Sequence, residues 1–268
     1  MASDVLAPLL DLPGVADAVA RARANVDSVL WDRAIRNRAA DVVAGSRLRG
    51  GWASAAIDGA EVRPDALVSG DALDDSPIGR VVAASLAVQG EIPHLVDLVG
   101  RAPLQALTRL HAVAGSALVD AAERGFPRRD EVADDPLRLG ALPSAAQASA
   151  RMTALAHVLT VPTTAPALVV AAVAHAEIAV TRPFAWGSGL VSRAMTRLVL
   201  AARGVDPDGL SVPEAGLFAA GRTAYADALR AYATGAPDGV AQWLILHADT
   251  VRVGADESRR ILADLPPA

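Results

Sequence analysis

The segment from Arg182 to Arg193 carries the residues best suited to chemistry, and it reads Arg-Pro-Phe-Ala-Trp-Gly-Ser-Gly-Leu-Val-Ser-Arg. A helix that begins just after Gly187, Ser188 and Gly189 would present free backbone N–H groups and the positive end of its dipole. Arg193 lies about one turn into that helix, and helical side chains lean toward the N-terminus. The pattern predicts a site for an anion such as a phosphate, with Arg182 at its start. An ordinary helix start with a solvated arginine explains the same pattern.

The composition predicts an all-α fold. Hydrophobic residues make up 52% of the 268 residues but aromatic residues only 3%. Ala, Val and Leu must therefore fill the core, which favours packed helices over a sheet. The formal net charge is −5 and there is no basic stripe, which argues against a nucleic-acid partner. The chain has no cysteine and no lysine, which excludes disulfides, thiolate nucleophiles, Schiff-base lysines and a Walker-type lysine.

The sequence gives no sign of a membrane segment. The amino terminus lacks the basic and apolar regions of a signal peptide. The longest apolar run, residues 165–180, is interrupted by His175 and Glu177 and is short for a bilayer. We therefore expect a soluble, cytoplasmic protein with no membrane partner.

Turn signals divide the chain into helical segments. Ser144 and Thr164 are the expected N-caps of two of these helices. Residues 58–77 are expected to form a loop. Residues 126–143 should form an exposed connection with solvated charges, including Arg128, and with room for one short β-hairpin. Helices are predicted near 14–38, 39–58, 78–90, 92–100, 103–124, 144–160, 164–182, 189–203, 213–234, 237–252 and 255–264.

The same segment resembles the signature of the Fic family, His-Pro-Phe-x-Asp/Glu-Gly-Asn-Gly-Arg-x-x-Arg. The positions that match are Pro183, Phe184, Gly187, Gly189 and Arg193. Weaker similarity extends the resemblance over roughly residues 50–255. It implies an N-terminal helical extension at 1–95, a Fic-like helical bundle at 96–255 and a C-terminal helix and tail at 256–268.

The residues that give the Fic family its chemistry are replaced in this chain. The family transfers AMP from ATP to a protein hydroxyl, with a histidine as the base and an acidic residue holding magnesium. Arg182 occupies the histidine position and cannot act as a base. Trp186 occupies the acidic position and offers no oxygen to a metal. Ser188 replaces the asparagine and is expected to cap the helix, and Leu190 replaces the first arginine. We therefore expect no metal and no magnesium, and we assign no catalytic residue.

A second motif lies near the end of a predicted helix. The stretch from Ser54 through Asp58 to Gly59 resembles the family's inhibitory motif, Ser/Thr-x-x-x-Glu-Gly/Asn, with Asp in place of Glu. In the family this acid pairs with the last arginine of the loop, so the resemblance implies an ion pair between Asp58 and Arg193. The alternative is that Asp58 only ends its helix.

The sequence thus favours a degenerate Fic protein without adenylyl-transfer activity. It would have a regulatory or ligand-binding role through a residual phosphate site, with ATP or another phosphate-bearing molecule as ligand. Its partner would be an unidentified protein or a second copy in a homodimer. The alternative is a divergent nucleotidyl- or phosphoryl-transferase that binds phosphates through Arg182 and Arg193. Its base would be Asp134, Asp135 or His175, although the sequence favours a core or boundary histidine for His175, because no neighbour completes a site.

Overall fold

Helices account for the regular secondary structure of the chain. A computed structural model describes residues 4–116 and 118–266. No strand occurs in those ranges, so the all-α prediction is confirmed and the optional hairpin is not formed there. A 3₁₀ helix at Ala7–Asp11 precedes α1 (Val15–Leu30), α2 (Arg33–Asn37), α3 (Ala39–Ile57), α4 (Pro64–Ser69), α5 (Pro77–Val99), α6 (Pro103–Ala114), α7 (Ala145–Thr160), α8 (Ala167–Thr181), α9 (Ser188–Ala202), α10 (Pro213–Ala220), α11 (Arg222–Ala233) and α12 (Pro237–Asp264).

Helices α8 and α9 form the centre of the bundle. Nearly every residue of α8 is buried, because its apolar residues cover all sides and such a helix must be surrounded. It packs against α7, α9, α11 and α12, while α9 also contacts α3, α5, α6 and α10. The loop that joins α8 to α9 therefore emerges from the middle of the bundle. This is the loop that the sequence singled out.

Two predicted helix breaks are wrong. Helix α5 continues through Pro93, and α12 continues through Gly254. In α12 the glycine serves packing: a Cβ at Gly254 would lie 2.4 Å from the carbonyl oxygen of Val212. Tertiary contact therefore accounts for a glycine that lies in the predicted gap between the helices at 237–252 and 255–264.

Other predicted boundaries are also corrected. The helix predicted at 14–38 breaks before Asp32, whose carboxylate accepts a hydrogen bond from the N–H of Ala34 at 2.8 Å and starts α2. Gly221 separates α10 from α11 at a φ of 87°. Helix α6 ends at Ala114, ten residues before the predicted end at 124, and the 58–77 loop contains the short α4.

Ser144 caps α7 as predicted, but Thr164 does not cap α8. The Ser144 hydroxyl accepts from the N–H of Gln147 at 3.1 Å. The N–H of Thr164 instead donates to the Asp4 carboxylate at 2.7 Å. Helix α8 begins only after Pro166, which is its N-cap residue and carries no side-chain cap.

Helix α5 is one described helix whose length and composition would allow it to cross a membrane. A core helix of a soluble protein passes the same test, and α5 packs against α3, α6 and α9. Residue 95, the predicted end of the N-terminal extension, falls inside α5, and residue 255 falls inside α12. The division into domains stays a prediction.

We expect Gly216→Ala to destabilise the protein by at least about 1–3 kcal/mol. Helix α10 crosses α12 at this glycine, and an added Cβ would lie 2.0 Å from the backbone oxygen of Thr250. The matched control is Gly90→Ala in α5, where an added Cβ meets nothing within 4 Å. That change should stabilise the helix by about 0.5–1 kcal/mol. Urea unfolding of both variants checks the prediction, and equal effects would contradict it.

Candidate functional site

The loop between α8 and α9 begins and ends with left-handed backbone. Arg182 has a φ of 45° and ends α8, and Gly187 has a φ of 78° and precedes α9. Positive φ is uncommon for a residue other than glycine. The surrounding contacts must therefore hold Arg182 in place.

A covering segment, residues 126–143, lies along this loop and supplies many of those contacts. The N–H of Arg128 donates to the carbonyl of Pro183 at 2.8 Å, and the N–H of Asp134 donates to that of Ala185 at 2.8 Å. The Arg128 guanidinium is buried and donates from Nε to the carbonyl of Arg182 at 2.8 Å. The prediction of a solvated Arg128 is therefore wrong. The Arg182 carbonyl that its Nε binds lies 54 positions away in the chain, so no local pattern marks this contact.

His111 of α6 fixes the middle of the loop, and sequence reasoning missed it. Its Nδ1 accepts from the N–H of Gly125 at 2.9 Å, so its Nε2 carries the proton and donates to the carbonyl of Trp186 at 3.1 Å. The ring stacks on Phe184 at 3.8 Å. Burial lowers the pKa of His111 to about 4. The residue is thus a neutral support for the loop.

Ser188 closes the loop and does not cap α9. Its hydroxyl accepts from the N–H of Phe184 at 3.2 Å and lies 3.3 Å from the carbonyl oxygen of the same residue. Gly187 is the N-cap of α9 and has no side chain to bond the free N–H groups. The capping prediction for Ser188 is wrong, and the first turn of α9 keeps unsatisfied donors.

The Arg182 side chain is held by the covering segment. It forms an ion pair with Asp135 at 2.7 Å. Its Nη2 donates to the carbonyls of Gly140 at 3.0 Å and Ala141 at 2.7 Å. The side chain is 5% exposed. In this arrangement Arg182 fastens the covering segment over the loop, and its role in anion binding stays a prediction.

The ion pair between Asp58 and Arg193 is present, as the sequence predicted. The two side chains approach to 2.5 Å, and they are 11% and 0% exposed. Arg193 also donates from Nε to the hydroxyl of Ser54 at 2.7 Å and from Nη2 to its carbonyl at 3.1 Å. The C-terminal end of α3 is therefore bound to the first turns of α9. Gly59, with a φ of 96°, lets the chain turn away directly afterwards.

The Asp58 carboxylate lies over the first turn of α9. A Cβ placed on Gly189 would be 3.1 and 3.2 Å from its two oxygens and 3.2 Å from Nη1 of Arg193. Asp58 Oδ1 and Arg193 Nη1 are both buried without a hydrogen-bond partner. The remaining cavity measures about 20 Å³, which is room for about one water molecule. A protein carboxylate thus pairs with Arg193, the arginine that the sequence predicts for an external anion.

Asp134 also reaches the loop. Its Oδ2 accepts from the N–H of Gly187 at 3.2 Å. Burial raises the pKa of Asp134 to about 7, and the charges of Asp58 and Asp135 add to the shift. The Gly187 hydrogen bond and the charge of Arg193 oppose it only in part.

This shift predicts that stability falls between about pH 4 and pH 7. The unfolded Asp134 carboxyl ionises near 3.8, whereas the folded one keeps its proton up to about pH 7. The folded state then binds more protons in this window, so the free energy of unfolding declines by about 1.4 kcal/mol per pH unit. Asp134→Asn should remove this contribution and be more stable than wild type at pH 8. Urea unfolding at pH 5, 6, 7 and 8 tests this, and parallel profiles would refute it.

Solved structures of Fic proteins have a fold similar to this one. A Fic family protein from Desulfovibrio desulfuricans G20 matches 95% of this chain and 76% of its own, with a TM-score of 0.75 and 20% identity. The chain has a Fic fold. Fic-1 (aa134–508) from C. elegans matches 93% of this chain and 72% of its own, with a TM-score of 0.65 and 15% identity. No protein-family model and no curated protein matches the sequence.

The loop of this Fic fold does not fit ATP or magnesium in the arrangement described. The cavity of about 20 Å³ is far smaller than a nucleotide. Trp186 brings no oxygen from its side chain, and its carbonyl already accepts from His111. Within residues 4–116 and 118–266, no three His, Cys, Asp or Glu side chains are grouped to hold a metal ion.

His175 does not reach the loop of the Fic fold. It is fully buried, with Nδ1 2.9 Å from the Thr196 hydroxyl and Nε2 2.5 Å from that of Tyr225. Burial and the nearby His247 lower the pKa of His175 well below its usual value. It belongs to a polar cluster in the core.

Proposed function

We propose that this Fic-fold protein does not transfer AMP and has a regulatory role centred on a closed anion site. The observation that carries the proposal is the Asp58 carboxylate over the first turn of α9, ion-paired with Arg193 at 2.5 Å. A helix N-terminus with an arginine suits an anion. Here the chain provides that anion itself.

The residue types support the loss of transfer. Arg182 stays protonated at any working pH, so it cannot take a proton from a hydroxyl. Its guanidinium is also engaged by Asp135 and two carbonyls. Trp186 cannot hold the cation that would neutralise phosphate charge. The base and the metal site are missing together.

A regulatory role requires that the closed site can open. The ligand would be ATP or another phosphate-bearing molecule, and it would have to displace Asp58 from Arg193. Ser54 and Asp58 both belong to the end of α3, so opening would move this part of α3 from α9. An unidentified protein or a second copy of the chain, in the cytoplasm, would respond to that movement.

We expect no AMP transfer from labelled ATP with magnesium or manganese, to the protein itself or to added cell protein. Wild type and Asp58→Ala should both be inactive, because opening the site does not restore the base. Arg193→Ala controls for incorporation that does not depend on the site. Transfer that is abolished by Arg193→Ala would contradict the proposal.

One observation favours the competing function, a divergent transferase. Asp134 contacts the loop at Gly187, and its pKa of about 7 suits a general base. Asp135 is engaged with Arg182 and His175 is in the core, so Asp134 is the remaining candidate among the three. The same assay includes Asp134→Asn. Transfer that is lost in this variant would favour the enzyme.

A further inference from the structure

A cavity of about 310 Å³ lies where the covering segment meets the start of α11. Three arginines line it: Arg138 from the covering segment, and Arg222 and Arg230 from α11. None of the described residues that line it is acidic. No residue of the loop at 182–193 lines it either, so this cavity is separate from the anion site discussed above.

Most of the positive charge at the cavity is not neutralised. Among the described residues, only Arg230 of the three arginines forms an ion pair, and its partner is Asp227. Arg222 donates from Nη2 to the carbonyl of Pro136 at 2.8 Å, which leaves its charge in place. Three guanidinium groups and one carboxylate leave two positive charges in excess. The cavity therefore disfavours a cation and attracts an anion.

Helix α11 begins at the same cavity. Its first two residues are Arg222 and Thr223, and both line the cavity. The N-cap residue is Gly221, which has no side chain to bond the free N–H groups of the first turn. These N–H groups, the positive end of the helix dipole and the Thr223 hydroxyl all suit an anion. The helix start thus adds donors to those of the arginines.

Arg138 is held at the cavity in an unfavourable backbone conformation. It has a φ of 54°, and Arg182 is the other residue besides glycine with a positive φ in the described part of the chain. The Arg138 carbonyl accepts from Nε and Nη2 of Arg230 at 3.2 and 2.9 Å. Strained backbone of this kind clusters at functional sites, where surrounding contacts hold a group in place.

We propose that this cavity binds a small phosphate monoester. The phosphate group is doubly charged and has three acceptor oxygens, which match guanidinium groups and backbone N–H groups. Pro136, Leu137 and Ala226 provide an apolar wall for the small organic group of the ester. The three arginines are exposed to solvent, so each contributes little and we expect a Kd of about 1 mM.

The test compares phenyl phosphate with phenol, which has the same ring and no phosphate. Ligand-observed NMR titration of wild type should show saturable binding of phenyl phosphate and none of phenol. Arg138→Gln and Arg222→Gln should each weaken binding about threefold to tenfold. The matched control is Arg129→Gln, which removes an exposed arginine of the covering segment that does not line the cavity. No binding by wild type, or an equal loss in Arg129→Gln, would overturn the proposal.

Two further variants place the binding in this cavity. Thr223→Glu should abolish binding by repulsion, and it should not harm the fold, because an acidic residue in the first turn stabilises a helix. Asp58→Ala with Arg193→Ala removes the anion site of the loop and should bind phenyl phosphate as wild type does. Unchanged affinity in Thr223→Glu would refute the site. Lost binding in the folded double variant would place the phosphate at the loop instead.

Discussion

Glu214→Ala should lower the free energy of unfolding by about 3–5 kcal/mol. Glu214 is fully buried, and both of its oxygens accept from Nε of Arg197 at 2.9 Å. Gln89 donates to the same carboxylate. The alanine variant would leave a guanidinium in the core with Ser46 as its main partner. Urea unfolding measures the loss.

Two controls separate this burial effect from a general effect of charge. Asp65→Ala breaks the ion pair between Asp65 and Arg63, whose side chains are 64% and 82% exposed, respectively. Because an exposed ion pair contributes little, the change should barely alter the free energy of unfolding. The double variant Glu214→Leu with Arg197→Met removes both buried charges and should recover much of the loss. If the Glu214→Ala variant proved as stable as wild type, this would contradict the stabilising role of the buried ion pair between Glu214 and Arg197.

The composition and the loop motif predicted the parts of this molecule that depend on residue type. Few aromatic residues and many Ala, Val and Leu residues gave the all-α class. The resemblance of two motifs to those of the Fic family implied the ion pair between Asp58 and Arg193. The fold class depends on composition and the ion pair on a recognisable motif, so both can be predicted from the sequence alone.

The supports of the loop could not be predicted in the same way. Arg128 and His111 bind loop carbonyls 54 and 75 positions away, and these contacts exist only after the bundle has packed. Residues 126–143 read as a solvated connection because their charges have partners that are distant in sequence. The misplaced helix ends have a related cause, since Gly254 serves a contact with Val212.

Asp58→Ala should turn the closed loop into a phosphate site. The change removes the carboxylate from Arg193, enlarges the cavity of about 20 Å³ and leaves the N–H groups of α9 uncovered. Wild type should show a much smaller thermal shift with pyrophosphate, because the ligand must first displace Asp58 from Arg193. The variant, at a ligand concentration of about 100 times Kd, should gain about 2.7 kcal/mol of stability. Asp97→Ala, which removes an exposed carboxylate elsewhere, controls for net charge.

The most direct measurement is a calorimetric titration of pyrophosphate into wild type, Asp58→Ala and Asp58→Ala with Arg193→Ala. If the chain's own carboxylate competes for the anion site, the single variant binds far more tightly than wild type and the double variant. Wild type binding as tightly as Asp58→Ala would show that Asp58 does not close the site. Equal binding by the double variant would show that Arg193 does not form it.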